Sequence, residues 1–116
     1  LMVNEIAPRV HNSGHYTLDA CHVSQFEQQV RMVCGLTPLD TLNHSAVAMV
    51  NILGDAWVND ELPVECLLED VNVKLHLYGK QGAKPGRKMG HFNVLAEHVD
   101  EAKQHAIRVY EKLMSD

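Results

Sequence analysis

Hydrophobic and polar positions follow two different periods along this chain, and the changes of period mark its elements. Val71, Val73, Leu75 and Leu77 alternate with Asn72, Lys74, His76 and Tyr78, the period-two pattern of a strand with one buried face. Ala46 to Leu53 is an apolar run that stops at Gly54-Asp55, and Phe92 to Ala96 is a shorter one; both predict strands. A looser alternation from Leu1 to Ala7 ends at Pro8 and predicts a short strand. From Ser24 the period lengthens. Phe26, Val30 and Val33 recur at i, i+4 and i+7, which predicts a helix buried along that stripe. Its start carries the S-x-x-E capping box of Ser24 and Glu27, where each side chain satisfies an orphan backbone donor. Gly35 supplies a left-handed stop, with Pro38 just beyond. Pro63 suits the first turn of a short helix with Val64, Leu67 and Leu68 on its apolar face. A last helix from about Asp100 aligns Ala102, Ala106, Val109 and Leu113.

The order is therefore strand, loop and helix, then a strand-helix-strand-strand-helix unit, an α+β arrangement. Thr37 to His44 has the polar, turn-forming composition of a linker. This divides the chain into 1–40 and 41–116. With 116 residues it is long enough for one small domain or the end of a larger one. The opening residues are already dense in polar, chemistry-bearing side chains, so a fragment of a larger protein is expected.

Composition narrows the choice of partners. The formal net charge is -5, with 46% hydrophobic and 22% charged residues, an ordinary globular balance that argues against a nucleic-acid surface. No apolar run approaches the roughly 20 residues needed to span a bilayer, so no membrane partner is expected. Cys21, Cys34 and Cys66 are odd in number and lack C-x-x-C spacing. They read as buried free thiols in a reducing, cytoplasmic compartment.

Two polar segments stand out from the folding pattern. In the first, Asn4 to His15, the Glu5 carboxylate suits a hard cation such as magnesium. Arg9 offers a planar fork for carboxylate, bicarbonate or phosphate, and Ser13-Gly14 lets backbone amides approach an anion. A surface salt bridge between Glu5 and Arg9 is the alternative for these residues. His11 and His15 have helical zinc-pair spacing, but Ser13-Gly14 between them argues against a helix and no H-E-x-x-H pattern is present. In the second segment, Tyr78 to His91, the cations Lys80, Lys84, Arg87 and Lys88 are interleaved with glycines. That suits a phosphate monoester, lysine as a point charge and arginine as a bidentate donor. A solvated basic hairpin loop fits the same residues. No Walker-type spacing occurs.

Together, V-N-E-I-A-P-R-x-H-N-S-G-H-Y-T, S-Q-F-E-Q, L-Y-G-K and P-G-R-K-M-G-H resemble the 5-(carboxyamino)imidazole ribonucleotide synthetases, ATP-grasp ligases of purine biosynthesis. The resemblance covers nearly the whole chain. It implies the end of an ATP-grasp domain followed by a small mixed α/β domain with an antiparallel sheet. It also implies an ATP- and Mg2+-dependent carboxylation of 5-aminoimidazole ribonucleotide by bicarbonate, through carboxyphosphate, in a homodimer. In that frame Asn4 and Glu5 belong to the nucleotide site, with Glu5 the metal ligand. Arg9 and His11 would be catalytic and, with Asn12 and Ser13, line the bicarbonate and aminoimidazole pocket. Lys80 and Arg87, with Lys88, would clamp the ribonucleotide phosphate. Formate-dependent glycinamide ribonucleotide transformylase is similar in the first segment, but typically has aspartate-threonine-glycine-methionine where Asn12-Ser13-Gly14-His15 stands here. Lys84 departs from the arginine of many relatives. A non-catalytic nucleotide- or anion-binding module is the reading from another class. The resemblance also implies that this chain alone lacks catalysis.

Overall fold

The structure, a computed structural model, describes residues 2–3 and 5–115. The chain forms two compact units, Leu1–His44 and Ser45–Asp116.

In the first unit, helix α1 (Thr17–Ala20) leads into α2 (Gln25–Val33). Half of the capping box of α2 is realised: the Ser24 hydroxyl accepts the Glu27 N–H, while the Glu27 carboxylate pairs with Arg31 at 3.5 Å. Its end is a Schellman turn. Gly35, at φ 69°, donates to Met32 O, and Leu36 donates to Arg31 O at 2.8 Å. The 37–44 segment folds back along the helices: His22 N–H reaches Leu42 O, His44 N–H reaches Ala20 O, and Cys21 bridges to Asn43.

Several expectations for this unit need correction. The expected buried stripe of α2 is not buried, since Val30 is 60% and Val33 81% exposed and no residue of the helix is fully covered. Periodicity fixes which residues share a face, but burial needs a second surface, and nothing within this unit supplies one. The expected strand before Pro8 is absent among the described residues, with Met2, Val3 and Ile6 almost fully exposed. A strand is a pairing, and this segment has no ladder partner there. Residues 9–17 are not a plain loop, because Asn12–Gly14 forms a 3-10 turn that runs into α1. Cys34 is exposed, whereas Cys21 and Cys66 are buried and all three are free thiols.

The second unit is a three-stranded antiparallel sheet in the order β1-β3-β2, formed by β1 (Ala46–Leu53), β2 (Val73–Leu77) and β3 (Lys88–Ala96). Helices α3 (Glu65–Leu68) and α4 (Val99–Leu113) complete it. β3 runs from Ala46↔Ala96 to Ile52↔Gly90 along β1, and from Val73↔Val94 to Leu77↔Gly90 along β2. This register lines Ala48, Val50 and Ile52 up with Val94, Phe92, Val73 and Leu75 on one face. Phe92, Val94, Ile52, Leu67, Ala106, Val109 and Leu113 form the core there. The four positions expected on the inner face of α4 are its four buried residues.

α3 turns differently from the expectation. Cys66 and Leu67 face inward while Leu68 is 67% exposed, because neighbours on a one-turn helix point about 100° apart and the sheet selects which of them is covered. β3 is longer than expected and begins at Lys88. Asn59 and Asp60 both adopt positive φ between the paired residues Val58 and Glu61, a two-residue hairpin turn that favours this residue type. No helix among the described residues is long and apolar enough to cross a membrane.

Candidate functional site

The candidate residues fall into two groups, one in each unit. In the first unit, His11 caps the 3-10 turn: its Nδ1 accepts the Ser13 N–H at 3.3 Å and lies 2.8 Å from Ser13 Oγ. An N–H can only donate, so Nδ1 is an acceptor and a neutral His11 carries its proton on Nε2.

Gln25 holds this turn from behind. Its Oε1 accepts His11 N–H at 3.0 Å, while its Nε2 donates to His11 O and to His15 Nδ1, both at 2.8 Å. The amide cannot be turned round, since Oε1 must face the His11 N–H. His15 is thereby oriented as well, with its proton on Nε2 when neutral. Gly14 makes the approach possible, because a Cβ there would lie 2.5 Å from Gln25 Oε1. Gln28 repeats the device on the opposite side: it donates to Leu39 O at 2.6 Å and accepts Leu39 N–H at 3.2 Å. A glutamine side chain carries a donor and an acceptor in the geometry of a peptide, so each of these brackets one backbone residue as a neighbouring strand would. The S-Q-F-E-Q string contains Gln25 and Gln28, but nothing in periodicity or propensity marks them as brackets.

Arg9 is exposed and donates from Nη1 to Val10 O at 3.1 Å. It borders a cavity of about 560 Å³ that Pro8, Tyr16, Cys21, Gln28 and Met32 help to line. His11, Asn12 and Ser13 are outside that lining and follow one another along a single turn. Cys21, at the cavity edge, donates its thiol proton to Asn43 Oδ1, and burial pushes that thiol above its ordinary pKa. Glu5 is exposed. Asn4 lies outside the described residues. No group of three or more metal-ligating side chains occurs among the described residues. Magnesium, however, usually takes only one or two carboxylates and fills its shell with water and phosphate oxygens. A single exposed carboxylate at Glu5 fits that partial role.

In the second unit the basic loop joins β2 to β3. Lys80 Nζ donates to Lys88 O at 2.8 Å and stands 5.3 Å from the centre of the Tyr78 ring, a cation–π distance. The Tyr78 hydroxyl meets buried His91 Nδ1 at 2.8 Å. Arg87 Nη1 donates to Gln81 O at 2.7 Å and Gly82 O at 3.0 Å, leaving Nε and Nη2 as further donors on the fork. Lys80, Arg87 and Lys88 are all exposed. The structure thus gathers Lys80 and Lys88 at the strand ends and ties Arg87 into the loop.

Two family models match the chain. The phosphoribosylaminoimidazole carboxylase C-terminal domain covers residues 47–105, just over half the chain. The chain belongs to this family. An ATP-grasp domain model matches residues 1–26. The N5-carboxyaminoimidazole ribonucleotide synthase of Bacillus subtilis (strain 168) is 52% identical over 101 residues, 87% of this chain but 26% of that protein. The phosphoribosylaminoimidazole carboxylase ATPase subunit of Aquifex aeolicus superposes with a TM-score of 0.84 at 41% identity, over 95% of this chain and 33% of that one. The Aspergillus clavatus N5-carboxyaminoimidazole synthase, solved with ADP and 5-aminoimidazole ribonucleotide, gives 0.83 at 39% identity over 97% of this chain and 31% of that one. The family carries the α+β fold seen here. The chain spans about a quarter of the length of the curated relative in Bacillus subtilis.

Proposed function

We propose that this chain is the nucleotide- and ribonucleotide-facing end of a ligase that carboxylates 5-aminoimidazole ribonucleotide with bicarbonate at the expense of ATP, in purine biosynthesis. The observation that carries the reading is the likeness, over 97% of this chain, to a relative solved with ADP and the ribonucleotide. Residues 1–40 would close the ATP-grasp domain and 41–116 form the small domain that follows it in the chain. The whole enzyme would act as a cytoplasmic homodimer.

On this reading the residues divide the work by chemistry. Asn4 and Glu5 face the nucleotide, with Glu5 one ligand of Mg2+. That ion, when bound, neutralises phosphate charge during transfer. Arg9 presents its guanidinium to bicarbonate and to the carboxyphosphate made from it. His11 acts as a hydrogen-bond donor, because Ser13 occupies Nδ1 and the Nε2–H is the end left to meet an oxyanion. Asn12 and Ser13 complete the polar wall around the aminoimidazole. Lys80 and Arg87, with Lys88, hold the ribonucleotide phosphate.

The test is ADP release by the full-length protein. With ATP and bicarbonate, addition of 5-aminoimidazole ribonucleotide is expected to stimulate release strongly, and Arg9→Ala to abolish that stimulation. Stimulation by formate and glycinamide ribonucleotide instead would move the protein to the transformylase branch. Silence with both pairs would leave a binding module.

A further inference from the structure

The basic loop of the second unit is gripped from outside by a segment that no motif singles out. Immediately after β1, Gly54 donates its N–H to Arg87 O at 2.8 Å. Asp55 Oδ2 accepts the N–H of Gly86 at 2.7 Å, across 31 residues of sequence. The approach is so close that a Cβ on Gly54 would lie 2.2 Å from Lys84 O and 2.6 Å from Lys84 N. Arg87 N–H in turn donates to Lys84 O, so the turn from Lys84 to Arg87 is closed on itself and then fastened to Gly54-Asp55. Gly86 sits at φ 72°, the left-handed region that glycine enters without a Cβ penalty, and its N–H is the one that Asp55 holds.

The charge of Asp55 makes this contact informative. A carboxylate close to a loop meant for a phosphate opposes anion binding by like-charge repulsion. Its contribution must come through the hydrogen bond it makes. We propose that Asp55 is a positioning residue of the phosphate clamp: by holding the Gly86 N–H it fixes the direction in which Arg87 presents its guanidinium, without touching the substrate. This rests on the reading of Lys80 and Arg87 as the ribonucleotide phosphate clamp.

Steady-state kinetics of the full-length enzyme separate hydrogen bond from charge. Asp55→Ala removes both and should raise KM for the ribonucleotide about fivefold, the effect of about 1 kcal/mol expected of one hydrogen bond, with kcat and KM for ATP unchanged. Asp55→Asn keeps a carbonyl acceptor and loses the charge, so its KM should equal the wild-type value or fall below it. Asp55→Glu keeps the charge but displaces the acceptor by one methylene, and should raise KM. A raised KM in the asparagine variant with a normal one in the glutamate variant would overturn the proposal, as would a kcat loss in all three. Arg87→Ala and Lys80→Ala serve as the reference. If they leave the ribonucleotide KM unchanged, the clamp reading itself falls. If they raise it while all three Asp55 variants do not, only the Asp55 proposal falls.

Discussion

Helices α2 and α4 have the same kind of apolar stripe and opposite fates. In α4 the stripe of Ala102, Ala106, Val109 and Leu113 is buried against the sheet. In α2 the stripe ends in Val30 and Val33, both more than half exposed. The second unit is held together by apolar burial around Phe92; among its described residues the first buries only Ala20, Cys21 and Val23 and adds side chains bonded to backbone: Ser24 at the cap, Gln25 on His11, Gln28 on Leu39 and Arg31 on Thr37 O. A periodic stripe is therefore a statement about a face, and stability comes only when another surface covers it.

The largest test of this contrast is a pair of truncations. Phe92→Ala removes a fully buried ring and should destabilise the second unit by about 3–5 kcal/mol. Val33→Ala, in the same chain, should change stability by no more than about 0.5 kcal/mol. Calorimetry or denaturant melts of the two variants check this, and comparable losses would end the comparison.

A smaller effect is expected at Gln25. Gln25→Ala frees the backbone of His11 and the Nδ1 of His15 to water, and should loosen the 11–20 segment by about 1–2 kcal/mol. Amide exchange should quicken there by roughly tenfold, with β3 unaffected. Exchange that quickens equally in both units would mean that they unfold as one.

The smallest effect is a pH slope from Cys21. Its folded pKa is raised by burial, so the folded chain keeps the proton after the unfolded chain has released it. Stability is then flat below the ordinary thiol range, about 8.5, and falls as the pH rises through that range toward the folded value. Cys21→Ser should remove the slope. Exposed Cys34 should meanwhile react with an alkylating reagent well before Cys21, as a mass-resolved time course would read.

Much of the second unit was legible because its signals are local. The apolar run of β1, the alternation through β2 and the inner face of α4 are visible in residue order alone, and the cap and stop of α2 follow from Ser24 and Gly35. The candidate residues were legible as well, because clustered cations, glycines and a loaded polar turn are one-dimensional features. Their supports were not. Asp55 lies 31 residues from Gly86 and Gln25 lies 14 from His11, and no periodicity links such pairs. His91 and Asn93 are buried on the sheet face opposite Phe92, where alternation alone would put them in solvent.

By itself, then, the sequence determined which residues share a face, where β1 and α4 run, and which polar side chains are the candidates for chemistry. Those properties depend on backbone geometry and residue type, both local. Tertiary structure decided which faces are covered, which way α3 turns, and which backbone groups Gln25, Gln28 and Asp55 hold. Burial and long-range hydrogen bonds each need a second surface, and folding alone determines where that surface lies.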